Sequence, residues 1–162
     1  MTKKQFIKEL LPLNEKMYRL SYRLLNDVDL AKDIVQTVYC KLWEDKNKLK
    51  TILNKEAYVI RITKNACLDK IRLQKTQTEV QQHHKITEQY HESSEKVMLV
   101  KKVIATLPEK QRLVIQLRDV DGFSFDEISK ALDLPQNTIR VSLSIARKKV
   151  REELKKIYSY GL

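Results

Sequence analysis

The 162-residue chain holds only two glycines, three prolines and two cysteines. Glycine and proline punctuate sheet turns, so their scarcity beside abundant Leu, Lys, Ile, Val, Glu and Gln argues against strands and predicts an all-helical fold. Cys40 and Cys67 stand far apart in helical patterns. No Cys-x-x-Cys and no Cys/His pairing at zinc spacing accompanies them, so buried reduced thiols are expected rather than a metal site. No apolar run approaches the length that spans a bilayer, and no apolar segment follows a charged start. Neither secretion nor membrane insertion is therefore expected, and a cytoplasmic location is. The length suits one ordinary domain or two very small ones.

Acidic residues are also in deficit, 21 against 32 Lys and Arg, for a net charge of +11. Such a field attracts polyanions, nucleic acid above all, and its distribution is uneven. Residues 51–75 hold six basic and two acidic side chains, residues 76–95 one and four, and residues 136–162 seven and two. The chain reads basic, acidic, basic.

Hydrophobic periodicity predicts the elements. Thr2 caps a short helix carrying Phe6, Ile7, Leu10 and Leu11, which Pro12 ends. A second helix runs from about Asn14 to a break at Asn26-Asp27. A third, capped by Asp29, carries Ile34, Val35, Val38, Tyr39, Leu42 and Trp43. After a polar loop at residues 45–50, helix resumes from Glu56 to about Leu73. There Arg61, Lys64, Asn65, Leu68, Arg72 and Lys75 fall on one side, a basic stripe with an amide in it. Residues 76–94 read as an acidic linker. Its His83, His84 and His91 lack neighbouring cysteines and are expected to be solvated filler rather than metal ligands.

Helical spacing restarts at Val97, and Leu107-Pro108 marks a new helix start. Asp121-Gly122 stops that helix, and Ser124-Phe-Asp-Glu127 is a capping box that opens another. Pro135 then forces a break within a few residues. A final helix from Gln136 carries Ile139, Leu143, Ala146, Val150 and Leu154 on one face and Arg140, Ser144, Arg147 and Arg151 on another. A short helix, a tight turn and a long basic helix make a helix-turn-helix, whose second helix enters the major groove N-terminus first. Gln136, Asn137, Thr138, Arg140, Ser144, Arg147 and Lys148 are the candidate duplex contacts.

Leu107-Pro-Glu-Lys-Gln-Arg-Leu-Val-Ile115, Asp121-Gly-Phe-Ser-Phe-Asp-Glu-Ile128 and Leu134-Pro-Gln-Asn-Thr-Ile-Arg140 resemble, in order, the promoter-reading C-terminal domain of bacterial sigma factors. Leu30-Ala-Lys-Asp-Ile-Val-Gln36 with Leu42-Trp43 resembles their polymerase-binding helix, and Arg61 to Arg72 their promoter-melting helix. The short span between the halves leaves no room for the middle domain of larger sigma factors, which is the pattern of the extracytoplasmic-function (ECF) subfamily. The resemblance implies a region 2 domain at 1–75 and a region 4 domain at 95–162, joined by the linker. It implies Asp33 and Gln36 toward the polymerase, and Arg61, Lys64, Asn65 and Arg72 on melted minus-ten DNA, with Asn65 reading an unstacked base. The minus-thirty-five contacts would begin at Arg140.

Implied partners are core RNA polymerase, through the clamp helices of its largest subunit and the flap of its second-largest, promoter DNA, and an anti-sigma factor. No catalytic residue, cofactor or metal is implied. Several positions depart from the family pattern. Lys32 stands where Glu is usual, Ser129 where Ala is common and Asp133 where Gly often turns the chain. Ser142 and Ile145 occupy positions that are often Arg, so two DNA contacts are expected to be absent. The rival readings are a homodimeric helix-turn-helix regulator and a recombinase-type DNA enzyme, the latter supported only by loose Ser and Tyr residues.

Overall fold

Thr2 opens the first helix with a capping box: its side chain accepts from the Gln5 amide at 3.3 Å, while Gln5 Oε1 accepts from the Thr2 amide at 3.0 Å. The computed structural model describes residues 1–77 and 94–160, side chains of 75–77 apart, and among these every regular element is helical. The expected all-helical fold is what is observed. The linker residues from 78 to 93, with His83, His84 and His91, lie outside the described residues. So does the side chain of Lys75. Among the described residues no cluster of His, Cys, Asp or Glu could hold a metal ion, and no helix is long and apolar enough to cross a membrane.

The described residues form two compact helical units. In the N-terminal one, α1 (Lys3–Leu10) leads through a 3-10 turn, Leu11–Leu13, directly into α2 (Asn14–Leu25). α1 thus ends before Pro12 as expected, and Pro12 sits in the first turn of the 3-10 segment, where its missing amide proton has no partner to lose. Asn26 takes the left-handed conformation at φ 52°. α3 (Val28–Glu44) is then capped by Asp27, whose carboxylate accepts from the Leu30 amide at 2.8 Å. The cap is thus two residues earlier than the Asp29 expected from sequence, and Asp29 becomes a first-turn acid facing the positive end of the helix dipole.

Asn54 Oδ1 accepts from the Ala57 amide at 2.9 Å and starts α4 (Lys55–Gln77), which outlasts its expected end near Leu73. α2, α3 and α4 enclose Met17, Leu25, Ile34, Val38, Leu42, Val59, Ile62 and Cys67. Full burial of each such apolar side chain contributes about 1.5–3 kcal/mol. Phe6 of α1 packs edge-on to Trp43 at 5.1 Å, and Tyr39 donates its hydroxyl to the Leu10 carbonyl at 3.2 Å.

The C-terminal unit comprises α5 (Glu95–Ala105), α6 (Glu109–Ile115), a π-helical turn at Gln116–Val120, α7 (Phe125–Leu132) and α8 (Gln136–Tyr160). Its core includes Ile104, Val114, Leu117, Phe123, Ile128, Ile139, Leu143 and Ala146. The Ser124 capping box forms as the sequence requires: Ser124 Oγ accepts from the Glu127 amide at 3.1 Å, and Glu127 Oε2 from the Ser124 amide at 2.7 Å. Asp133 turns the chain in the left-handed conformation at φ 53°. Across that turn Ser129 donates its hydroxyl to the Leu134 carbonyl at 2.6 Å, and the Leu134 amide donates to the Ser129 carbonyl at 3.2 Å. The two departures from the family pattern therefore act together, Asp133 adopting the strained backbone and Ser129 tying its exit.

Two outcomes follow. Ser129→Ala should lower unfolding free energy by about 1 kcal/mol through the lost hydrogen bond. Asp133→Val should lower it by about 1–2 kcal/mol, because a β-branched residue fits the left-handed region poorly. Urea titrations measure both, and wild-type stability in Ser129→Ala would remove the role of the hydroxyl. In the N-terminal unit burial pushes the Cys67 thiol up to about 11, the Ser21 hydroxyl offsetting part of the rise, while Cys40 is exposed. A maleimide should label Cys40 rapidly near neutral pH and Cys67 only after unfolding. The folded thiol keeps its proton to about 11 and the free thiol to about 9.0, so the folded state binds more protons in that window and loses stability as pH rises through it. A Cys67→Ala variant should show a smaller alkaline loss.

Candidate nucleic-acid interface

The rotation of α8 follows from what it buries. Ile139, Ser142, Leu143, Ala146 and Val150 face the core, and at 3.6 residues per turn the opposite side carries Asn137, Val141, Ser144 and Lys148. All four of these are exposed, as are Arg140, Ile145 and Arg147 on the flanks; Gln136 and Thr138 are half-buried. The candidate duplex contacts thus share the outer surface of one helix, led by its N-terminal turns.

Cations on this surface are held by specific neighbours. Arg118 and Arg140 both stack over the Phe125 ring, their guanidinium carbons 4.6 and 4.7 Å from its centre. Arg118 also donates to the Phe123 carbonyl at 2.8 Å, and Arg140 to Gln136 Oε1 at 3.4 Å. Arg147 makes a two-pronged contact with Asp119 at 2.9 and 2.7 Å. Those hydrogen bonds raise the Arg147 pKa above its ordinary value. An open cleft along α8 is lined by Phe125, Arg140, Ser144, Arg147, Lys148 and Arg151 among others. Five cations against Glu152 alone give the cleft a positive lining.

In the N-terminal unit Asp33 and Gln36 are exposed on α3, one turn apart. On α4, Arg61, Asn65 and Arg72 are exposed along one side. The Arg61 guanidinium lies 5.5 Å from the Tyr58 ring, and Arg72 pairs with Asp69 at 3.5 Å. Lys64, placed on the same stripe by sequence, is only 6 % exposed, beside Ile60 rather than level with Asn65. Asp33 and Asn65, proposed for different partners, line one groove between α3 and α4 together with Ile34, Val38, Ile62 and Ala66.

Three features escaped the sequence reading. Val141 is 60 % exposed in the middle of the outer face of α8, and an aliphatic residue in a helical pattern reads by default as core. Asp119 meets Arg147 across 28 positions, a separation that no local pattern reveals. Phe125 was legible only as the residue after a cap. Ser142, one of the two departures at positions that are often Arg, is 8 % exposed and lies on the core-facing side of α8. Ile145 remains the departure that lies on the outer surface.

Comparison with known proteins extends these observations. The family model of sigma-70 region 2 matches residues 12–77, and that of sigma-70 region 4 matches residues 98–150. The ECF RNA polymerase sigma factor SigW of Bacillus subtilis is 25 % identical over 157 residues, covering 87 % of this chain and 84 % of that protein. RNA polymerase sigma factor SigZ of the same organism is 26 % identical over 138 residues, covering 83 % and 78 %. Among solved structures, the sigma factor RpoE of Bartonella quintana, crystallised with the anti-sigma factor NepR, superposes with a TM-score of 0.73 at 24 % identity. The match covers 94 % of this chain and 98 % of that one. With both diagnostic regions present in order, the chain belongs to the sigma-70 family as an ECF-type sigma factor, which binds core RNA polymerase and directs promoter-specific transcription initiation.

Proposed function

We propose that the work of initiation is divided between the two units, α8 reading the minus-thirty-five duplex and α4 capturing the melted minus-ten strand. The observation that carries this division is the outer face of α8, where Asn137, Arg140, Ser144 and Lys148 stand exposed behind a tight turn. Gln136 and Asn137 offer amides to base edges, and Thr138 and Ser144 offer hydroxyls. Arg140, Lys148 and Arg151 serve the phosphates, while Arg147 is held by Asp119. On α4 Asn65 hydrogen-bonds the edge of an unstacked base. Arg61 and Arg72 hold the single-stranded backbone beside it. Lys64 joins them only by leaving its buried position, and its aliphatic stem is long enough to let the ammonium emerge.

Asp33 and Gln36 present a carboxylate and an amide to the clamp helices of the polymerase largest subunit, while the C-terminal unit docks on the flap of the second-largest. The domain limits 1–75, 76–94 and 95–162 are proposed on the same reading. The chain contributes binding energy and geometry; the polymerase performs the nucleotide chemistry, in the cytoplasm. The Bartonella relative was solved bound to an anti-sigma factor, and a protein of that kind is the proposed regulator here.

In vitro transcription with core polymerase on a genomic DNA library tests the scheme: new start sites should require this chain. On a promoter found in this way, Asn65→Ala should reduce open-complex formation, read by permanganate footprinting, and spare protection of the minus-thirty-five duplex. Equal loss of both would remove the division of labour. Salt dependence tests the phosphate contacts. Were all four cations of α8 free, log affinity would fall against log salt with a slope of roughly −3.6. With Arg147 committed to Asp119, a slope of roughly −2.7 is expected, and Asp119→Asn should restore the steeper value. A common slope for both proteins would contradict the assignment.

A further inference from the structure

We infer that Val141 and Ile145 are specificity-determining residues of α8, reading the 5-methyl groups of thymines in the minus-thirty-five duplex. The inference rests on the proposed entry of α8 into the major groove and adds what that helix selects there. Val141 is 60 % and Ile145 42 % exposed, an apolar pair one helical turn apart on a surface otherwise polar and cationic. Asn137 precedes Val141 by one turn, Ser144 adjoins the pair and Lys148 follows, all exposed. Water gives no reason for aliphatic, β-branched side chains at such positions, since both are weaker helix formers than the residues around them.

The flanks decide the occupant. Arg140, Lys148 and Lys149 border the pair, so the partner must be a polyanion that also offers apolar points. Duplex DNA meets both demands, because the thymine methyl is the apolar group that base pairs present in the major groove. Neither side chain can hydrogen-bond a base edge, so neither can read guanine, adenine or cytosine directly. A β-branched side chain on a helix is also nearly locked at χ1, which makes each a fixed knob with little freedom to lose on contact.

Spacing sharpens the expectation. Four residues of helix rise about 6 Å, while stacked base pairs are about 3.4 Å apart. The two methyls should therefore lie on neighbouring or next-neighbouring pairs. Where the family often carries arginine, a side chain suited to guanine, Ile145 is suited to thymine, a change of preferred base rather than a loss of readout.

The experiment uses the full-length chain assembled with core polymerase. A duplex pool randomised across the minus-thirty-five window is selected for binding, and each thymine of the recovered sequence is then replaced by deoxyuridine, which lacks only the methyl. Replacement at two positions within two base-pair steps should weaken binding roughly fourfold each. Val141→Ala should abolish the thymine-to-uracil difference at one of them and Ile145→Ala at the other, with unchanged thermal melting because both sites are exposed. A recovered sequence that tolerates deoxyuridine everywhere, or a difference that survives in both variants, overturns the inference while leaving α8 as the duplex reader. A pool that yields no recurrent sequence overturns both together.

Discussion

One constraint governs the C-terminal unit: the burial of Ile139, Leu143, Ala146 and Val150 against the core. Burying those side chains sets the rotation of α8 about its axis, and with about 100° between successive residues every other position is then assigned to a face. Asn137, Val141, Ser144 and Lys148 point outward because the apolar stripe points inward. The turn before the helix sets its direction in the same indirect way, through the left-handed Asp133 and the hydroxyl of Ser129 on the Leu134 carbonyl. The outer surface of α8 is thus a by-product of packing. Its chemistry could change, as at Ile145, without disturbing the fold that presents it.

The same principle operates on α4 with a different result. Val59, Ile60, Thr63 and Cys67 turn one side of the helix into the core, leaving Arg61, Asn65 and Arg72 on the other. Lys64 falls at the margin between the two. Its burial shows that a stripe drawn from helical spacing is wider than the surface a packed helix exposes. Ion pairs add a further layer: Arg147 has two hydrogen bonds to Asp119. A cation counted in a sequence is not automatically a cation available to phosphate.

Local rules read the chain well where they are chemically self-contained. The Thr2 cap, the Ser124 capping box, the start of α2 at Asn14, the break at Asn26 and the left-handed Asp133 each depend on residues within a few positions of one another. Competing local signals were harder. Asp27 and Asp29 are both good caps, and the choice fell to the residue whose backbone is extended and whose carboxylate reaches Leu30. Pro12 ends α1 as its chemistry predicts, and the local pattern did not show that the chain would continue through a 3-10 turn into α2.

What the sequence determined by itself was helicity, the helix-turn-helix, the basic outer face and the family, because each rests on periodicity or on ordered motifs of neighbouring residues. Tertiary structure decided which members of those patterns face solvent. It turned Ser142 inward, exposed Val141, withdrew Lys64 and matched Asp119 with Arg147. The physical reason is that burial and ion pairing are settled between segments distant in the chain, where helical spacing along one segment carries no information about its partner.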